Sequence, residues 1–155
     1  MPHIHEKIDF TVESFIVYRN KVLLRMHDKH KLWLGVGGHV ELDEHPVQAA
    51  IREAKEEVGL DIELVGEVEQ LLDDGKNNFE NLLAPAFMNI HDVSSTHRHI
   101  GLIYFARAHS DDVRPTGDDV SNEWRWLTRE ELLENKLGIL ESIRHYALKA
   151  LETLS

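Results

Sequence analysis

The chain has 155 residues, 42% of them hydrophobic and 29% charged, with a formal charge of −11 and no cysteine. That length suits one domain, 1–155, with one core; the missing thiols exclude disulfides, thiolate metal sites and a cysteine nucleophile; and the acid excess argues against a general nucleic-acid binder, which carries a basic footprint. No apolar run approaches the ~20 residues of a membrane helix, and the opening residues lack the basic and apolar regions of a signal peptide, so a cytoplasmic protein without membrane contact is expected.

Residues 9–18 are rich in β-branched and aromatic side chains and predict a strand; Arg19-Asn20 predicts a tight turn, and 21–26 the second strand of a hairpin. Residues 32–40 hold Gly35, Gly37 and Gly38 and predict a constrained loop with strand pieces, with Trp33 in the core. A helix is predicted over 46–58, since Pro46 suits its first turn and Gly59 its end. Strands are expected at 60–70 and 79–90 with a turn at 73–78, although Pro85 weakens the second or places it on an edge. Next come a strand over 98–108, an aspartate-rich polar loop over 110–122, and a short strand over 123–127 in which Trp124 and Trp126 pack. Thr128-Arg129-Glu130-Glu131 matches a capping box, so a helix begins there. A terminal helix over 138–153 has Ile139, Leu140, Ile143, Ala147, Ala150, Leu151 and Leu154 on its apolar face. The mixture predicts an α/β protein, a sheet covered by helices on both sides.

The helix over 46–58 carries the chemistry. At about 100° per residue, Val47, Ile51, Ala54 and Val58 form a stripe expected to pack on the sheet. Glu53, Glu56 and Glu57, spaced by three and four, share another face within about 6 Å of helix axis. Ala49 and Ala50 lie roughly on that side, and their small size is expected to leave room for a ligand. Like charges at these spacings repel, and a hard dication such as Mg²⁺ or Mn²⁺ would reverse that penalty. On the glutamates alone, a solvated acidic face balanced by Arg52 and Lys55 is the simpler reading.

The surrounding pattern changes that. Gly38, Glu44, Arg52, Glu53, Glu56, Glu57 and Gly59 fill every fixed place of G-x5-E-x7-R-E-U-x-E-E-x-G-U, with Ala54 and Leu60 at the apolar places. With each fixed residue at a frequency of roughly 7%, chance agreement is on the order of one in 10⁸ per start position. The segment covers 23 of the 155 residues and resembles the complete Nudix box, and the flanking hairpin and later strands resemble that family's layout. The resemblance implies an α/β/α sandwich with a mixed sheet. It also implies a pyrophosphohydrolase in which Glu53, Glu56 and Glu57 hold Mg²⁺ or Mn²⁺, the Gly37 carbonyl adds a ligand, and Arg52 orients a carboxylate. Glu44 either fixes the loop or helix start or complements the helix dipole.

The implied reaction is attack of water on a phosphorus of a nucleoside diphosphate derivative, helped by a general base. Glu53 or Glu56 could serve as that base, or a carboxylate of the later loop: Asp118, Asp119 or Glu123. Asp118 resembles an extra acidic ligand of bacterial oxidised-nucleotide sanitisers. Arg25 and Arg98 are candidates for phosphate or nucleotide contact, each equally readable as an exposed structural arginine, and His39 is near the site as the residue after the box glycine.

The substrate favoured is a nucleoside triphosphate or oxidised nucleotide. ADP-ribose or a nucleotide sugar is the near alternative, because the stretch 73–97 is longer than in minimal sanitisers. A non-catalytic nucleotide sensor is disfavoured by the full carboxylate set, an RNA-end processor by the net charge, and a homodimer is an expectation of the resemblance. Among the 11 histidines, His97-Arg98-His99 and His3-Ile4-His5 have spacings that suit a metal, but without a third ligand they are expected at the surface or in a substrate loop. Neither a Ser-His-Asp arrangement nor a phosphate-cradling P-loop is evident.

Overall fold

The β-branched run near the N-terminus becomes the central strand of a mixed sheet. In the computed structural model, which describes residues 3–69, 75, 78–117 and 123–154, β1 (Ile8–Tyr18) pairs antiparallel with β2 (Lys21–His27) through the Arg19-Asn20 turn. Both turn residues have positive φ, 46° and 62°, the backbone twist that two-residue hairpins favour. Beyond Ile16 and Leu23, the edge of β1 is taken instead by β4 (Val36–His39), which follows β3 (Leu32–Leu34) and pairs at Thr11–Ser14. On its other side β1 runs parallel to β7 (Arg98–Ala108) over ten residue pairs, Ile8 opposite Arg98 to Val17 opposite Arg107. The sheet of the described residues has eight strands, with β8 (Trp124–Leu127) on β2.

Alternation along β1 assigns the layers. Phe15 and Val17 pack with Ala147 and Leu151 of α3 (Glu141–Leu154), while Val12 and Ile16 pack with Ala49, Ala50, Ala54 and Val58 of α1 (Pro46–Val58). Helices therefore cover both faces in an α/β/α sandwich, with α2 (Arg129–Glu134) starting at the Thr128 capping box. Trp33 is in the core, and Trp124 and Trp126 pack partly buried on the α1 side. No helix of the described residues is long and apolar enough to cross a membrane.

The two strands expected at 60–70 and 79–90 are shorter and displaced. β5 spans Ile62–Val65 and β6 spans Phe87–Asp92. They lie end to end on one edge of β7, β5 opposite Phe105–Ala108 and β6 opposite Arg98–Ile103, so neither can extend without displacing the other. The expected turn at 73–78 lies largely outside the described residues. Two faces also differ from expectation. In α1, Ile51 is 46% exposed whereas Ala49 and Ala50 are fully buried, so the alanines bring the helix close to the sheet rather than leave room for a ligand. In the C-terminal region, Gly138 adopts φ 69° and Asn135 clasps Ile139 through both its amide groups. The helix accordingly begins at Glu141, and Leu140 is left 47% exposed.

These burials separate two leucines of the C-terminal region, Leu140 and Leu151. Leu151→Ala, in the core, should cost about 2–5 kcal/mol and Leu140→Ala no more than about 0.5 kcal/mol, read from urea unfolding midpoints.

Candidate active site

Both ends of α1 are tied down. His45 is its N-cap: its ring accepts from the Gln48 amide at 3.3 Å, while the Gln48 side chain accepts from the His45 amide at 3.0 Å. Gly59 ends the helix at φ 68°, where a Cβ would strike the Arg114 carbonyl. The last carbonyls, which a helix cannot satisfy itself, accept from the following loop: Val58 O from Arg114 N at 2.8 Å, and Glu56 O from Thr116 N and Gly117 N at 2.9 Å. The polar loop after β7 is thereby docked beside Glu56. Its candidates Asp118 and Asp119 lie outside the described residues.

The glutamate trio divides into a wall and a rim. Glu53 and Glu57 are 5% and 7% exposed, on the buried side of α1 with Ala50 and Ala54, while the Glu56 side chain is 49% exposed. The acids thus do not form a face separate from the packing face, as the periodicity predicts; two of them are part of it. Gly38 makes this possible, because a Cβ there would stand 2.7 Å from the Glu53 carboxyl carbon. Next to it on β4, Gly37 pairs with Glu13 of β1.

Arg52 links the helix to the loop before it. Its Nε donates to Glu44 Oε2 at 3.0 Å and its Nη2 to Glu44 Oε1 at 2.6 Å; Nη1 reaches Glu53 Oε1 at 2.9 Å and Glu56 Oε2 at 3.2 Å; and Nη2 also donates to the His39 carbonyl at 3.1 Å. Glu44 Oε1 accepts from the Glu41 amide as well, at 3.0 Å, so Glu44 closes the loop onto the arginine. The Arg52 hydrogen bonds hold the Glu44 carboxyl below its ordinary range.

On the opposite side, Arg25 of β2 forms an ion pair with Glu57 through its Nε. It is buried, not the exposed structural arginine considered from sequence. Burial pushes the Glu57 carboxyl well up, with Arg25 opposing and Glu53 adding to the rise. Burial raises Glu53 too, against Arg52. The two acids are close enough that the Glu53 charge adds to the rise at Glu57. Glu13 is a neighbouring acid that sequence reasoning missed. Its Oε1 accepts from Gly35 N at 2.9 Å, and burial raises its carboxyl against the pull of Arg25. The available signal was an acid within the apolar run Val12 to Val17.

The remaining candidates lie around this centre. His39 is buried and turned away from it toward Asp9. Glu123 precedes β8, its carbonyl accepting from Met26 N at 2.9 Å, one row from the Arg25–Trp124 pair. Arg98 stands apart: it is exposed opposite Ile8, five residues along β1 from Glu13, roughly 16 Å at ~3.3 Å per residue.

A family model of the NUDIX domain matches residues 11–147. The chain belongs to the Nudix hydrolase family. This Nudix hydrolase is similar, at 35% identity and a TM-score of 0.81, to a NUDIX-family hydrolase from Clostridium perfringens, over 95% of this chain and 98% of that one. A MutT NUDIX hydrolase from Burkholderia pseudomallei (20% identity, TM-score 0.65, 97% and 100% covered) shares its fold. So does an ADP-ribose pyrophosphatase from Streptococcus suis (21% identity, TM-score 0.57, 94% and 90% covered). No curated protein matches the chain. Nudix hydrolases act on the pyrophosphate bonds of nucleoside diphosphate derivatives, in general with divalent metal.

Two outcomes follow for this Nudix hydrolase. Arg52→Lys keeps the charge but loses the two-pronged hold on Glu44, and kcat/KM should fall about 10–100-fold with the circular dichroism spectrum unchanged. Because the folded Glu57 carboxyl lies above its ordinary value of 4.5, its contribution to stability is complete below that value and declines as the pH rises toward the raised one. Chelator-treated wild type should therefore lose Tm relative to Glu57→Gln as the pH rises above 4.5, and excess magnesium should restore it. Parallel melting curves for the two proteins would refute this.

Proposed function

We propose that this Nudix hydrolase uses Mg²⁺ or Mn²⁺, held by Glu53, Glu56 and Glu57 with the Gly37 carbonyl, to cleave the pyrophosphate linkage of a nucleoside triphosphate or oxidised nucleotide. The observation that carries the reading is the pair of buried carboxyls, Glu53 and Glu57, with a third at the rim. Oxygen donors massed out of water suit a hard dication, and a cation among them relieves the repulsion that burial enforces. When bound, such an ion neutralises phosphate charge and makes water more acidic.

The protein's own groups do the positioning. Arg52 keeps Glu53 and Glu56 oriented while anchored to Glu44, and Arg25 holds Glu57. Of the box acids named as proton acceptors, Glu56 is the one that solvent reaches, being half exposed while Glu53 is buried. We therefore assign it the proton from the attacking water. Thr116 and Gly117 of the loop after β7 dock on its backbone carbonyl.

A second reading, ADP-ribose or a nucleotide sugar, is supported by the length of the connection between β5, which ends at Val65, and β6, which begins at Phe87. The neighbour named an ADP-ribose pyrophosphatase accords with it at the level of fold. Phosphate release and product identification across nucleoside triphosphates, oxidised nucleotides, ADP-ribose and nucleotide sugars separate the two, and ¹⁸O-labelled water marks the phosphorus attacked. Glu57→Gln should lower kcat about 10²–10³-fold. Nucleotide binding without turnover under any divalent metal would favour a sensor and overturn the proposal.

A further inference from the structure

A second cluster of metal-type donors lies on the other face of β4. Gly38 faces Glu53 of α1, and the next residue, His39, points the opposite way, as strand alternation requires. There it meets Asp9 of β1, which is fully buried. Asp9 Oδ2 stands 3.2 Å from His3 Nδ1, 3.2 Å from His39 Nε2 and 3.2 Å from His97 Nε2. His99, opposite Asp9 in the parallel β1·β7 register, completes the group. One donor atom each from His3, Asp9, His97 and His99 lies within 4.8 Å of the others. Of the histidines expected at the surface, His3 and His5 are exposed, whereas His97 is only 4% exposed and His99 is half-buried.

Several features of this cluster point to a cation. The Nε2 atoms of His39, His97 and His99 are buried without a hydrogen-bond partner, although two of them are close to Asp9; they are near the carboxylate but not directed at it. Such orphaned nitrogens are costly unless something absent satisfies them. His97 Nδ1 lies 2.9 Å from the Glu6 carbonyl, which fixes the proton on Nδ1 and leaves a lone pair on Nε2, the usual outer support of a metal-binding imidazole. The acid at the centre, Asp9, stands within 3.2 Å of three imidazole nitrogens, so the cluster suits a positive ligand.

Four ligands about 2.0 Å from a tetrahedral centre are roughly 3.3 Å apart; the Asp9 separations to His3 and His97 are 3.2 Å, and all four donors lie within 4.8 Å of one another. We propose that His3, Asp9, His97 and His99 form a site for a zinc-class dication, separate from the box carboxylates. Three imidazoles and one carboxylate suit zinc and disfavour magnesium, which takes oxygen. The bound ion would pin the chain before β1 to β1 and β7, beside the His39 carbonyl to which Arg52 is anchored.

The test uses chelator-treated full-length protein in excess magnesium, titrated with cobalt(II) and then zinc(II), in wild type and in Glu57→Gln. One equivalent of cobalt should give the intense visible absorption of a four-coordinate ion in both proteins, be displaced by zinc, and raise Tm. His3→Ala, at an exposed position, and His99→Gln should each weaken uptake at least tenfold and abolish the Tm rise. An absent or weak six-coordinate spectrum, uptake unchanged in His3→Ala and His99→Gln, or uptake lost in Glu57→Gln would each overturn the proposal. Because the box carboxylates are read separately through Glu57→Gln, failure here leaves the hydrolase reading untouched.

Discussion

The close approach of α1 to the backbone of β4 is the constraint on which the site depends. A buried carboxylate costs several kcal/mol unless it is paired and hydrogen-bonded, and Glu53 and Glu57 are buried because the helix lies against the strand with nothing between. Gly38 contributes no side chain at the contact, and Ala50 and Ala54 add little bulk to the same side of the helix. Two arginines then meet the acids from opposite directions, Arg52 from within the helix and Arg25 from β2. Arg52 serves twice, since the guanidinium that orients Glu53 and Glu56 also takes both oxygens of Glu44. The loop between β4 and α1 cannot move without disturbing the carboxylates.

The position of Arg25 follows from the sheet rather than from the box. Were β2 to stay paired with β1 along its whole length, β4 would have no edge to occupy. Instead β2 parts from β1 after Leu23, and β4 fills the vacated edge. This brings the end of β2, with Arg25, alongside Gly37 and Gly38 and over Glu57. The same insertion puts β4 between two environments. Its alternate residues face the helix carboxylates and the Asp9 histidine cluster, so two sites of different donor chemistry share one four-residue strand.

How much of this was legible follows from how local each feature is. The helix over 46–58, its glycine stop, the strand over 98–108 and the Thr128 cap depend on neighbours in sequence, and all four appear at the expected places. The spacing of Glu53, Glu56 and Glu57 is equally local. Which of them is buried is not: the Val47–Ile51 stripe implied a helix rotated so that Ile51 packs, and only the glycines of β4, a separate element, turn it to bury Glu53 and Glu57. Strand ends at Val65 and Phe87 were unreadable for the same reason, because they are set by competition for one edge of β7. Glu13, Arg25 and Asp9 are single charges within apolar strands. That pattern marks them as unusual, but the partners that explain them come from elsewhere in the chain.

The division of the box acids between wall and rim follows from the same geometry and bears on the chemistry. Glu53 and Glu57 are locked by burial and by their arginines, which suits groups that must hold their oxygens in one place. Glu56 carries a weaker constraint, a single 3.2 Å contact from Arg52, and faces solvent, while its backbone carbonyl anchors the loop after β7. A side chain that must exchange a proton with water needs that access, and one buried beside another acid would instead keep its proton. The sequence spacing of three and four puts the acids side by side; burying only two of them gives otherwise identical residues different surroundings.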